Sequence, residues 1–299
     1  MRRVTEPPRI ARWKRDAHKG DRGRVLIVAG SQTMSGAARL AGWGALRGGA
    51  GLVTVATPSG VQPIVAGELS CALTLPLPAK RGTLTATGAA EARRAADGVD
   101  AVAVGPGLTT SVAPFLRRFL KGLQKPVVVD ADALNILARD GSLLEGLEGP
   151  AVLTPHPGEA ARLLKRDVPK DREGRLEAAA ELADLFGAVV VLKGAGTIVC
   201  DGERCYLNRS GNPGMATGGT GDVLTGLLAA RLAAGVEPFP AAVQSVFVHG
   251  RAGDLAAAAV GENACIATDV VASLPAAIAG LTEPARGAKP SHRASRRTR

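Results

Sequence analysis

Asp222 closes a run of small residues, Gly218-Gly219-Thr220-Gly221, and stands where an apolar stretch, Val223-Leu224-Thr225-Gly226-Leu227-Leu228, begins. The glycines oppose regular structure before Asp222, whereas Val223, Leu224, Leu227 and Leu228 recur at helical spacing. The pattern predicts a loop whose backbone N–H groups converge on a helix N-terminus. Such a terminus binds anions, because its first N–H groups lack intrahelical partners and the local dipole is positive. A carboxylate beside an anion site suits phosphoryl transfer. The amides of Gly219, Thr220 and Gly221 would hold the migrating phosphoryl while Asp222 orients an attacking hydroxyl. Asp222 could instead simply cap its helix, but that leaves the preceding Gly and Thr residues without a role. The helix terminus is expected to lower its pKa and make it a weak base, which is acceptable where positioning matters more than base strength.

A second polar cluster is "VLKGAGT", residues 191–197, in which Lys193 ends an apolar run and is followed by small residues. It reads either as a shelf on which a nucleotide packs against the backbone or as a solvated lysine in a tight turn. His156 lies between two prolines in "TPHPGEAARLL"; Pro157, Gly158 and Glu159 fit the first turn of a helix. Taken alone, His156 reads as a surface histidine and Glu159 as an ordinary first-turn acid. His18 and His249 have no identifiable partners. "VGPGL" is by itself only a strand-to-helix turn. The chain has no GxxxxGK[ST] segment, which excludes a P-loop, and no GxGxxG after its first apolar run.

The elements that must position these residues are short apolar runs alternating with helical patterns. Residues 24–30, 51–57, 100–105, 125–132, 150–155 and 187–194 read as buried strands. Helical patterns follow at 35–49, in "VAPFLRRFLKGL", in "DREGRLEAAAELADLF" and after Asp222. Strands without polar alternation, separated by helices, imply a mostly parallel sheet covered on both faces, an α/β three-layer sandwich. Residues 197–208 differ, reading as a hairpin around Asp201-Gly202. In parallel sheets ligands bind beyond the C-terminal strand ends. Those ends carry Gly30-Ser31, Gly105-Pro106-Gly107, Asp130-Ala131-Asp132, Thr154-Pro155-His156 and Lys193-Gly194.

The formal charge of +10 resembles a nucleic-acid signal until it is located. Residues 1–24 hold nine Lys and Arg, and residues 286–299 hold six with no acid, leaving 22 basic and 24 acidic residues between them. The basic character therefore belongs to the ends: an N-terminal extension at 1–17 and a disordered, solvated tail at 284–299 flanking one domain at 18–283. Nucleic-acid binding through those ends is the rival outside enzymology, and it gives no role to Asp222 or Lys193. Cys71, Cys200, Cys205 and Cys265 form no CxxC pair or zinc spacing, and buried free thiols are expected. With neither a signal-peptide core nor an apolar run long enough to cross a membrane, a cytoplasmic location is expected.

"HKGDRGRVLIVAGSQTMSGAARLAGWGALRGGAGLV", "VGPGL", "VVDADALN", "LTPHPGEAARLL", "VLKGAGT" and "NPGMATGGTGDVLTGLLAA" occur in that order between residues 18 and 230. Together they resemble the NAD(P)H-hydrate dehydratase family of the ribokinase-like superfamily. The resemblance implies dehydration of hydrated NADH or NADPH. A nucleotide phosphorylates the ring hydroxyl, phosphate leaves, and the coenzyme is restored, with ADP the expected donor giving AMP. It assigns the substrate hydroxyl to Asp222 and the phosphoryl to Gly219, Thr220 and Gly221. Adenine nucleotide falls to Lys193, Gly194, Ala195, Gly196, Thr197 and Gly221, and hydrated coenzyme to Ala38, Gly107, His156 and Asp222. Gly36 and Ala37 could equally form the wall assigned to Ala38. The resemblance also implies Mg²⁺, for which Glu159 and Asn135 are candidate ligands, and a homo-oligomer of four or more subunits. A ribokinase-like kinase of a small alcohol, of the hydroxyethylthiazole or hydroxymethylpyrimidine type, is the nearest alternative.

Overall fold

The computed structural model describes residues 1–284; apart from Pro284, the expected basic tail lies outside the described residues. The first half of the chain forms β1 (Arg2–Val4), β2 (Arg24–Val28), α1 (Ser35–Arg47), β3 (Leu52–Pro58), α2 (Gln62–Glu68), β4 (Leu73–Leu77), β5 (Ala79–Lys80), β6 (Thr83–Leu84), α3 (Ala89–Asp97), β7 (Ala101–Val104), α4 (Ala113–Leu120), β8 (Val127–Val129) and α5 (Asp132–Arg139). The second half forms β9 (Ala151–Leu153), α6 (Pro157–Leu164), α7 (Arg172–Phe186), β10 (Val189–Leu192), β11 (Ile198–Cys200), β12 (Arg204–Leu207), α8 (Thr220–Ala233), α9 (Pro238–Val260) and α10 (Ala267–Leu281).

Ten strands make one sheet in the order β1-β12-β11-β10-β9-β8-β7-β2-β3-β4, while β5 and β6 pair separately as a small hairpin. β10 through β4 are parallel, and β11 alone runs against its neighbours. Strand periodicity explains the layers. Leu26 and Val28 of β2 face a core shared with α3–α7, whereas Val25 and Ile27 face one shared with α1, α2, α8 and α9. α10 packs over α8 and α9 through Val270, Leu274 and Ala277, forming a third apolar cluster with Val223 and Leu227. The result is a ribokinase-like α/β/α sandwich.

The sequence pattern missed β1 and β4, which are only three and five residues long. Residues 1–17, read as an extension, contribute β1 to the sheet edge, parallel to β12, and Ile10 bridges to Thr282. The expectation of four buried free thiols is corrected. Cys200 and Cys205 face each other across the β11–β12 hairpin, with Cα atoms 4.3 Å apart, and are joined by a disulfide. Their spacing bears no disulfide signature; the register of the hairpin is what opposes them. Cys71 and Cys265 are free, the first exposed and the second buried.

Two features direct the functional rim. The chain leaves β2 for β3 and β4 on one side and returns to β7 on the other. The C-terminal ends of β2 and β7 therefore diverge, as ligand sites of such sheets require. Gly226 lets α8 approach α1 closely, since a Cβ there would lie 1.8 Å from the Ala41 carbonyl oxygen. That approach carries the N-terminus of α8 over the ends of the central strands.

Candidate active site

Gly219 is the N-cap of α8, with φ of 95° and no side-chain cap. The first backbone bond of the helix runs from Val223 N–H to the Gly219 carbonyl. Among the described residues, the N–H groups of Gly219, Thr220, Gly221 and Asp222 find no acceptor. Four free amides thus gather at the helix N-terminus, the geometry expected from the sequence, and form a cradle. The Thr220 hydroxyl donates to the carbonyls of Met215 and Thr217, at 3.0 and 3.1 Å, and holds the turn from inside. Asp222 occupies the third helical position rather than the cap, and its carboxylate accepts no hydrogen bond among the described residues. The capping account is therefore excluded.

The expected pKa of Asp222 is also corrected. Burial and the neighbouring Asp130 push it up to about 7, with Lys193 opposing and Asp132 adding to the rise. Loss of hydration and two nearby acids outweigh the helix terminus. Asp222 is thus poised as a base near neutrality rather than a weak one.

Beneath the cradle lies a polar knot at the ends of β8, β9 and β10. Asp130, 1% exposed, accepts from Lys193 Nζ at 2.7 Å and Thr154 Oγ1 at 2.7 Å on Oδ1, and from Thr225 Oγ1 at 2.7 Å on Oδ2. Burial would raise its carboxyl, but Lys193 and the three donors hold it below the usual range. Burial pulls the Lys193 ammonium down, while Asp130 and Glu159 more than offset that and raise it. Lys193 therefore stays charged. A Cβ added to Gly221 would stand 3.6 Å from Nζ, which places the ammonium directly behind the cradle.

A cavity of about 610 Å³ opens beside this knot, a size suited to a compact organic ligand. Lys193, Gly194, Ala195, Gly196 and Thr197 form one wall, Thr220 and Gly221 part of another, and Asn212, Met215 and His249 are among the other lining residues. The structure thus brings the two motifs, separated in sequence, to one space. His249, without a partner in the sequence reading, hydrogen-bonds through Nε2 to the Thr220 carbonyl at 2.9 Å, and burial lowers its pKa to about 4. The ring is neutral and donates through Nε2.

The residues assigned to hydrated coenzyme occupy other parts of the rim. Gly107 has φ of 64° in the turn after β7, and a Cβ there would lie 2.9 Å from Met34 and Ala37. Ala38 is fully buried under Gly30. His156 caps α6, accepting at Nδ1 from the N–H groups of Gly158 and Glu159, while Glu159 accepts from His156 N–H. Burial, with Lys193 and Arg162, lowers the His156 pKa, which suits an accepting Nδ1. Glu159 is a buried acid, 3.8 Å from Lys193, whose pKa is raised by its burial.

No group of three or more His, Cys, Asp and Glu side chains among the described residues is arranged to hold a metal ion. The Asn135 amide oxygen accepts from Arg162, and Glu159 is engaged by His156 and Lys193. These residues do not fit a protein-held Mg²⁺. An ion carried on nucleotide phosphates needs no such cage.

Sequence reasoning missed Thr225 and His249 as parts of the site, and placed Asp130 and Thr154 on the rim without partners. Their signal was weak because each acts on a residue from another element.

A glycine-bounded helix N-terminus, an aspartate in its first turn and a cavity at the strand ends define the chain as a ribokinase-like protein. The family model described as NAD(P)H-hydrate dehydratase matches residues 25–276, and the chain belongs to that family. It is 45% identical over 279 residues to the bifunctional NAD(P)H-hydrate repair enzyme of Moorella thermoacetica, covering 92% of this chain and 52% of that protein. The corresponding Escherichia coli enzyme is 38% identical over 86% of this chain and 48% of its own length. The chain thus spans about half the length of the curated relatives it matches. An ADP/ATP-dependent NAD(P)H-hydrate dehydratase of Bacillus subtilis, crystallised with ATP and Mg²⁺, superposes with a TM-score of 0.78. That structure is 33% identical and covers 91% of this chain and 95% of its own. Hydroxyethylthiazole kinase of Pyrococcus horikoshii, 19% identical with a TM-score of 0.57 over 88% of this chain and 89% of its own, shares the fold.

Proposed function

We propose that the chain dehydrates NAD(P)H hydrate at the expense of a nucleotide, with ADP as the donor. The observation that carries this reading is Asp222, an unpaired carboxylate with its pKa raised to about 7, next in the chain to Thr220 and Gly221, whose free amides belong to residues lining a cavity of about 610 Å³. Nucleotide occupies the cavity against Lys193–Thr197, with its terminal phosphoryl on the amides of Gly219, Thr220 and Gly221. Any Mg²⁺ arrives on its phosphates. The coenzyme lies toward the Gly107 turn and His156, against Gly36 and Ala37 rather than the fully buried Ala38, and presents its ring hydroxyl to Asp222.

Asp222 takes the hydroxyl proton as the oxygen bonds to phosphorus and the P–O bond to AMP breaks. Amides and Lys193 offset the charge on the phosphoryl oxygens. The C–O bond then breaks, inorganic phosphate departs, and the ring loses a proton from the adjoining carbon, restoring dihydronicotinamide. His156 accepts bonds at Nδ1, so toward substrate it can only donate, through an Nε2–H that stands 3.5 Å from Glu159 Oε1.

Purified chain incubated with hydrated NADH and ADP should recover NADH absorbance and release one phosphate and one AMP per coenzyme. ATP and hydrated NADPH in parallel determine donor and substrate preference. Absence of recovery with both nucleotides and both hydrates rejects the proposal; phosphorylated hydrate accumulating without phosphate release would indicate a kinase.

A further inference from the structure

The segment after Lys193 has its backbone polarity sorted. The Lys193 carbonyl accepts from Arg175 Nη2 at 3.2 Å, the Ala195 carbonyl from Arg175 Nη1, and the Gly194 carbonyl from Thr197 Oγ1 at 2.9 Å. The N–H groups of Gly194, Ala195, Gly196 and Thr197 find no acceptor among the described residues. Three consecutive carbonyls are therefore occupied while four consecutive amides are free, on a segment that walls the cavity. Gly194 and Gly196, with φ of 125° and 64°, permit the alternation that sends carbonyls one way and amides the other.

Arg175 belongs to α7, far along the chain and outside every motif on which the functional reading rests. Its guanidinium meets no carboxylate within ion-pair distance among the described residues, and its Nε is buried without a partner. A structural arginine ordinarily has its charge neutralised. Here two of its donors go instead to carbonyls of the nucleotide wall, and its charge stands behind four free amides. Successive amides turned to one side form an anion-binding concavity.

We propose that Arg175 is a positioning residue for nucleotide: by tying back the Lys193 and Ala195 carbonyls it presents the Gly194–Thr197 amides, and its own positive field, to the nucleotide phosphates. The proposal rests on the nucleotide reading of the cavity. It assigns Arg175 no contact with the reacting atoms. Arginine is needed because its planar fork reaches two carbonyls at once, whereas lysine can serve one at a time.

Calorimetry with ADP and no coenzyme tests this on the full chain. Arg175→Met should weaken ADP binding by about tenfold or more, and Arg175→Lys should recover part of that loss. With coenzyme present, the loss should fall on the KM for ADP, leaving kcat at saturating ADP within about threefold. Wild-type protein that binds neither ADP nor ATP would overturn the functional reading and this inference with it. Wild-type binding that Arg175→Met leaves unchanged, or a loss in kcat with KM unmoved, would overturn the inference alone. Should Arg175→Met fail to fold, Arg175→Lys decides: unaltered ADP affinity in that variant defeats the proposal.

Discussion

Lys193 Nζ and Asp130 Oδ1 lie 2.7 Å apart beneath the first turn of α8, joining the end of β10 to the end of β8. Thr225, one turn into α8, donates to the other oxygen of the same carboxylate. One buried acid thus fixes the ammonium and the helix in mutual register. The rigidity of the helix terminus resides in this side-chain knot as much as in the glycine turn above it.

Breaking the pair should be costly. Asp130→Asn leaves a buried ammonium with only the more weakly coupled Glu159 and Asp222 to offset it, and the loss of one partner from a buried pair costs about 3–5 kcal/mol. Replacing both residues by apolar ones should recover part of that stability without restoring activity. Urea denaturation of the two single variants and the double variant measures the coupling. Losses that simply add would refute a pair acting as a unit.

Asp222 should govern the acid side of the activity profile. Its carboxylate form is the base, so kcat/KM should fall as pH drops through about 7. The sign for stability is opposite. Between 3.8, the ordinary value, and about 7, the folded chain binds a proton that the unfolded chain does not. The resulting stability is present at low pH and disappears as pH rises through 7. Asp222→Asn should lower kcat by about 10²–10⁴-fold, yet melt higher than wild type at pH 8. Thermal melts at pH 5 and pH 8 check this; a variant less stable at pH 8 contradicts it.

Gly219 and Gly221 should separate under alanine substitution. Gly219 has φ of 95°, and a Cβ there would lie 2.4 Å from Leu40 Cδ1, so Gly219→Ala should destabilise the protein and distort the cradle. At Gly221 the nearest atom to a new Cβ is Lys193 Nζ at 3.6 Å, an ordinary contact. Gly221→Ala should keep or raise stability by about 0.4–1 kcal/mol while crowding nucleotide and raising its KM. Denaturation midpoints and the KM for ADP distinguish the two. Equal melting temperatures would oppose the geometric argument.

The parallel strands and the Asp222 turn were legible because their signals are local. Val127-Val128-Val129 can hardly be other than buried, and Gly218 to Asp222 announce a helix terminus in five letters. β1 escaped notice because three residues, Arg2-Arg3-Val4, have no period of their own; pairing with β12 makes them a strand. The raised pKa of Asp222 was illegible for a related reason. Asp130 and Asp132 reach it through the order of the strands, whereas the helix dipole is visible in the sequence and points the other way. Cys200 and Cys205 became partners only when the register of β11 and β12 opposed them.

His249 supplies the last prediction, because it links the cradle to pH by a route separate from Asp222. Its Nε2 bond to the Thr220 carbonyl by itself favours the charged ring, but burial outweighs that and lowers the pKa to about 4. The unfolded chain, with an ordinary value of 6.5, takes up the proton first on acidification. Stability is therefore fully present above 6.5 and is lost as pH falls toward 4, by at most about 1.4 kcal/mol per pH unit. His249→Gln can retain a donor to Thr220 without a titrating ring. Asp222 contributes the opposite slope over the same range, so this variant should gain stability relative to wild type as pH falls from 6.5 to 4, while keeping much of kcat. His249→Leu, with no donor, should show the same relative shift but release the Thr220 carbonyl and lower kcat. Urea midpoints across that pH range, with kcat at pH 8, provide the measurement. A glutamine variant as acid-sensitive as wild type would show that His249 does not titrate as its burial requires.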